Sequence, residues 1–246
     1  MERKTKKVLG YSVDLLTFND AVQKVIHNIY NSIGMQIVTI NPEMIELANN
    51  NCEYSQILNN AELVIPDGSG IKLALKLKGI IQEQIPGIDF SKKLIEESAK
   101  NGYKIAMIGS KEDVITKAAN NLKNEYTKLN ICYTRNGYFD TDYENTIIND
   151  IYECKPQLIF VALGAPKQEF FIKKCRQKYN NAVYIGVGGS FDVWAGNVER
   201  APELFRKIGC EWLYRTLKQP NRIKRIYKTL PMFLIKAIIE AKLKRI

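Results

Sequence analysis

Five short runs of nearly unbroken apolar residues constrain the fold of this chain more than any other feature. They are QIVTI (36–40), LVIP (63–66), KIAMIG (104–109), PQLIFVALG (156–164) and AVYIGVGG (182–189). All are rich in β-branched residues, and a strand that is apolar at successive positions has to be covered on both faces, as in a parallel sheet. Stretches with helical spacing lie between them, such as EDVITKAANNLKNEY (112–126) and PKQEFFIKKCRQKY (166–179). The second opens with Pro166, whose missing N–H costs nothing in a first turn. This β-α-β-α alternation predicts an α/β fold with a doubly wound, mostly parallel, Rossmann-like sheet. No internal repeat or low-complexity linker interrupts the pattern.

Charge divides the chain where the alternation ends. The net charge is +10 over 246 residues, 46% of them apolar. Residues 201–246 hold twelve Lys/Arg against Glu203, Glu211 and Glu240, or +9, which leaves +1 for residues 1–200. The expected organisation is an α/β catalytic domain over 1–200 and a basic helical appendage over 201–246. In the appendage the longest apolar stretch, LPMFLIKAII, is interrupted by Lys236 and is too short to span a bilayer. An interfacial helix fits better: Trp212, Tyr214, Tyr227 and Phe233 would face lipid or the core, while cations meet anionic head groups at about 1 kcal/mol each. The same charge would suit a nucleic acid or an ordinary solvated helix face; the interleaved aromatics favour the membrane over nucleic acid.

Several chemistries are disfavoured by what is missing. The five cysteines, Cys52, Cys132, Cys154, Cys175 and Cys210, are odd in number and form no C-x-x-C, so neither a disulfide framework nor a zinc site is indicated and a reducing compartment is expected. MERKTKK leads into VLGYSVDLLTF, which contains Asp14 and no small-residue cleavage site, so a signal peptide is not expected and the chain should stay in the cytosol. The single histidine, His27, reads as a partly buried helix residue, which leaves no base for Ser-His-Asp or Cys-His chemistry and no histidine cluster for a metal.

In doubly wound sheets ligands bind beyond the carboxyl ends of the strands. The junctions there read Thr39-Ile40-Asn41-Pro42-Glu43, Pro66-Asp67-Gly68-Ser69-Gly70, Gly109-Ser110, Leu163-Gly164-Ala165-Pro166-Lys167-Gln168-Glu169 and Gly188-Gly189-Ser190-Phe191-Asp192. Glycine allows close backbone approach and helix N-termini favour phosphate, so the five together point to a nucleotide. Neither Walker A nor G-x-G-x-x-G is present, which argues against P-loop and dinucleotide classes. Asp67, between Pro66 and Gly68, reads either as a positioned general base or as an N-cap for a helix beginning near Ser69. Asp140-Thr141-Asp142 spells D-x-D, a pattern that can hold a divalent cation. It falls between the strand-like ICYTRNGYF and the helical DYENTIINDIYE, where capping is the preferred reading.

These fragments, with Pro86-Gly-Ile-Asp89, Gly186-Val-Gly-Gly-Ser-Phe-Asp192, Arg200-Ala-Pro202, Glu211-Trp-Leu-Tyr-Arg215 and Pro220-Asn-Arg222, resemble in content and order the WecG/TagA/CpsF family, glycosyltransferase family 26. The resemblance runs over nearly the whole chain. It implies an inverting, metal-independent enzyme of the bacterial cytoplasm, peripheral on the inner face of the membrane, that uses a UDP-sugar and an undecaprenyl-diphosphate-linked acceptor and needs no cofactor. In the wall teichoic acid branch the donor is UDP-N-acetylmannosamine and the acceptor undecaprenyl-diphospho-N-acetylglucosamine, giving a β-1,4 linkage; other branches use another UDP-sugar, such as the mannosaminuronic acid or a hexose. By position, Asp67 resembles the family's base and Thr39 its neighbour in the acceptor-side pocket. Asn41, Gln168, Gly109, Gly188, Gly189 and Asp192 take substrate-binding places, and Arg215, Arg222 and Arg225 resemble arginines of the appendage that close over the site. Arginine suits a metal-free diphosphate site because its guanidinium pairs bidentately with phosphate oxygens. Spacings of seven and three would bring the three to one face of a helix that continues past Pro220. A homo-oligomer is allowed. The rival readings are another nucleotide-dependent α/β enzyme and a protein whose basic tail binds nucleic acid or membrane without catalysis.

Overall fold

The computed structural model describes residues 3–207, 211, 213–214 and 223–243. Strands β3 (Met35–Ile40), β4 (Leu63–Pro66), β5 (Lys104–Gly109), β6 (Asn130–Arg135), β7 (Leu158–Ala162) and β8 (Val183–Gly186) form one sheet in the order β4-β3-β8-β7-β5-β6. Every pairing within it is parallel. A hairpin precedes it, β1 (Thr5–Val8) and β2 (Tyr11–Asp14), joined through Leu9 and Gly10, both at positive φ. The two-residue left-handed turn matches the twist of paired strands. Asp14 fixes the hairpin to the sheet: it is buried, pairs with Arg3 at 2.8 Å and accepts a hydrogen bond from the Val64 amide at 2.8 Å.

The helices are α1 (Phe18–Tyr30), α2 (Pro42–Asn49), α3 (Cys52–Asn60), α4 (Ser69–Leu77), α5 (Gly87–Asn101), α6 (Glu112–Glu125), α7 (Thr141–Cys154), α8 (Lys167–Lys178), α9 (Ser190–Trp194), α10 (Glu203–Lys207) and α11 (Ile223–Leu243). Strand residues alternate between the two faces. Met35, Ile37, Ile105, Met107, Leu158 and Phe160 join a core with α1, α5, α6 and α9. Val38, Ile40 and Val64 pack with α2, α3, α4 and α11, and Ala106, Ile108, Ile159 and Val161 with α7 and α8. The apolar runs are therefore continuous because each strand is buried on both sides. The neighbours β3 and β8 send their next helices, α2 and α9, to opposite faces. That divergence opens a crevice at their carboxyl ends.

Helix α11 contains Pro231 and docks on α2 and α4 with Phe233 and Ala237 fully buried. Burying one phenylalanine contributes about 1.5–3 kcal/mol. Ion pairs fasten the same helix, Lys236 to Glu46 at 2.6 Å and Lys78 to Glu240 at 2.5 Å, with the Leu9 amide also donating to Glu240. Among the described residues no helix is long and apolar enough to cross a membrane. Phe233 thus faces the core; Trp212 and the Tyr227 side chain lie outside the described residues. One expectation is corrected. His27 is exposed, because the apolar stripe of α1 is Ala21, Val22, Val25 and Ile29 and position 27 falls on the far side.

Candidate active site

The crevice is a cleft of about 910 Å³ into which the junctions after β3, β4, β5, β7 and β8 all project. Asp67 is set into its wall by the backbone. Its amide donates to the Ile40 carbonyl at 2.9 Å, carrying the β3–β4 ladder one residue past the strand. Gly68, at φ +86°, then turns the chain into α4. This left-handed conformation favours glycine, since a Cβ there costs about 1–2 kcal/mol. The N-cap of α4 is Gly68 and no side chain caps the helix, so the capping reading of Asp67 is excluded and its carboxylate lines the cleft.

Thr39 shares that position. A Cβ on Gly87 would come within 2.9 Å of Thr39 Cγ2 and 3.4 Å of Asp67 Oδ2, so the first turn of α5 presses against both side chains. Two residues on, Asp89 receives a bidentate pair from the Arg200 guanidinium, joining the Pro86–Asp89 and Arg200–Pro202 segments. Burial works against the Arg200 charge, but Asp89, with Glu211 and Asp67 beyond it, more than offsets this and raises its pKa further. A fixed cation thus stands near the Asp67 carboxylate.

Several helices around the cleft begin without a side-chain cap. Helices α1, α3 and α7 are capped by Thr17, Asn51 and Asp140. By contrast α4, α5 and α8, whose first turns line the cleft, start at Gly68, Pro86 and Pro166 with no side-chain cap. In α4 and α5 the leading N–H groups and positive dipole ends are left to a ligand, an arrangement that suits an anion, whereas in α8 the Gln168 and Glu169 amides already donate to the Gly164 and Pro166 carbonyls at 3.0 and 3.2 Å. Helix α2 is the exception, because Asn41 Oδ1 accepts from the Met44 amide at 3.0 Å. Asn41 lines the cleft while serving as a cap.

On the β7–β8 side, Gln168 lies flat across the end of β8. Its Oε1 accepts from the Gly188 amide at 3.1 Å, and a Cβ on Gly186 would come within 2.3 Å of its Nε2. Gln168, Gly188, Gly189 and Asp192 all line the cleft. Gly109 does not. It sits behind Ser110, and it is glycine because a Cβ would meet the Ala162 carbonyl oxygen at 2.4 Å. In the D-x-D segment, Asp140 caps α7 through the Tyr143 amide at 2.8 Å, and none of the three residues lines the cleft. Arg215, Arg222 and the side chain of Arg225 lie outside the described residues. Sequence reasoning misses Tyr138, an exposed ring over the cleft after β6, and the wall that α11 contributes through Thr229 and Leu230. A turn after an edge strand carries no signal of what it overhangs, and a remote helix carries none of where it docks.

Comparison with known proteins follows the same lines. A family profile described as the Glycosyl transferase WecG/TagA/CpsF family matches residues 6–246. The chain is also 34% identical over 233 residues, 94% of its length and 89% of the other's, to the N-acetylglucosaminyldiphosphoundecaprenol N-acetyl-beta-D-mannosaminyltransferase of Bacillus subtilis (strain 168).

Proposed function

The chain belongs to the glycosyl transferase WecG/TagA/CpsF family, and on that premise we propose that it moves N-acetylmannosamine from UDP-N-acetylmannosamine to undecaprenyl-diphospho-N-acetylglucosamine, with inversion and without a metal. The observation that carries this reading is the convergence of the Asp67 carboxylate with the uncapped N-termini of α4 and α5 in a single cleft. An inverting transfer needs both parts: a base for the attacking acceptor hydroxyl, and positive potential for the departing diphosphate. Asp67 takes the proton, with Thr39 beside it on the acceptor side. The helix ends hold the UDP phosphates, and Arg215, Arg222 and Arg225 of the appendage complete the charge. Transfer should then survive excess EDTA; loss on chelation with rescue by Mg²⁺ or Mn²⁺ would revive the D-x-D segment as a metal site.

We place the enzyme on the inner face of the membrane. Beyond the +9 of the appendage, α11 supports this with a second apolar stripe, Met232, Ile235, Ile239 and Leu243, exposed on the side away from Phe233 and Ala237. A helix apolar on two faces needs two coverings, and lipid meets the outer one. The deciding experiment incubates the protein with a panel of UDP-sugars and a short-chain lipid-diphosphate acceptor. Transfer from UDP-N-acetylmannosamine is expected; transfer solely from another UDP-sugar would reassign the donor, and binding of NAD or S-adenosylmethionine in place of UDP would overturn the reading.

A further inference from the structure

Behind the cleft wall lies a carboxylate that the proposed chemistry does not use. Glu169, the third residue of α8, is 2% exposed and does not line the cleft. Its Oε1 accepts a hydrogen bond from Gln168 Nε2 at 2.7 Å. Its Oε2 faces the buried Tyr54 hydroxyl, and neither atom reaches any other hydrogen-bond partner. A buried acid that forgoes part of its hydrogen bonding is costly, and an apolar residue would serve packing better.

Its chemistry explains what it is for. When ionised, above the pKa that burial raises to about 7, the carboxylate offers only acceptors and so selects the NH₂ end of the neighbouring amide. With Nε2 held on Glu169, Oε1 is turned to the Gly188 amide, and the Gln168 side chain bridges the first turn of α8 to the loop after β8. The absence of a Cβ at Gly186 makes room for this bridge. Nε2 keeps one more N–H and Oε1 one more lone pair, and the bridge fixes which of them the cleft presents. We infer that Glu169 is a positioning residue of the transferase, which sets the polarity of the Gln168 amide and, through it, the placement of the Gly188–Gly189 loop toward the nucleotide donor. This role rests on the proposed function, since it assumes that the cleft takes a UDP-sugar.

A double-mutant cycle on the full-length protein tests it, read by UDP affinity from calorimetry, donor KM and Tm. Glu169→Gln can offer either end of its own amide, so it should loosen the bridge. It is expected to weaken UDP binding and raise donor KM about tenfold in the wild-type background, but less than twofold once Gln168 is alanine. Gly186→Ala should behave alike, weakening binding when Gln168 is present and doing little in Gln168→Ala, because its clash partner is gone. Equal losses in both backgrounds would overturn the inference, since they mean Glu169 acts independently of Gln168. A fall in Tm and kcat with unchanged UDP affinity and KM would also overturn it, by showing a merely structural role. Wild-type protein that binds no UDP at millimolar concentration would instead sink the functional reading on which the inference stands.

Discussion

At the scale of single residues, two carboxyl groups have opposite environments and opposite expected signatures. Asp67 lines an open cleft beside a fixed cation, whereas Glu169 is sealed behind it. Asp67→Asn should keep the fold and UDP binding while lowering turnover about 10²–10⁴-fold, the usual range for loss of a general base; turnover near that of wild type would remove Asp67 from the mechanism. For Glu169, burial raises the carboxyl pKa to about 7, against the pull of Gln168, its own backbone amide and Tyr54. The folded state therefore holds this proton more tightly than the unfolded chain, and stability falls as pH rises from about 4.5 to 7. The loss is of the order of 3 kcal/mol. Thermal melts of wild type and Glu169→Gln across that range should show the variant gaining relative stability toward high pH, and parallel curves would contradict the assignment.

At the scale of elements, Gly70 is where α2, α4 and α11 meet. A Cβ there would come within 2.5 Å of Pro42 Cγ and 3.5 Å of Phe233 Cε1. The last described helix thus buttresses the turn that carries Asp67, and it supplies cleft wall at Thr229 and Leu230. Phe233→Ala should cost about 3 kcal/mol or more, as deletion of a buried aromatic does. Hydrogen exchange should rise first in α11 and the first turn of α4, ahead of β3, β7 and β8. A rise spread evenly over the sheet would mean that α11 has no docking equilibrium of its own.

For the whole molecule, a neutral α/β body joined to a +9 appendage predicts a separation of membrane attachment from chemistry. The outer stripe of α11 touches none of the cleft, so Ile235→Glu combined with Ile239→Glu should abolish flotation with anionic vesicles. Turnover on a soluble short-chain acceptor should be retained. If flotation survives the double substitution, the stripe is not the lipid contact.

Much of this molecule is legible in its sequence. Parallel strands buried on both faces leave runs of apolar residues with nothing polar between, so β4 and β5 begin and end where the runs do. Turn chemistry at strand ends is also local, which is why Asp67, Thr39, Gln168 and Asp192 stand out as cleft residues from their sequence neighbours alone. The β1–β2 hairpin is hidden because β1 buries only Val8 and so shows no apolar pattern. Gly109 misleads because a glycine needed for close backbone approach to Ala162 looks the same in sequence as one needed for a ligand. Glu169 in a first helical turn reads as an acid placed for the helix dipole, and only the packing of α3 against α8 reveals that it is buried. Hydrophobic periodicity and turn residues act between neighbours in the chain, so the sequence by itself determines the sheet, its faces and the loops at the site. Burial, the bridge through Gln168 and the docking of α11 depend on groups far apart in the chain, and only the tertiary structure decides them.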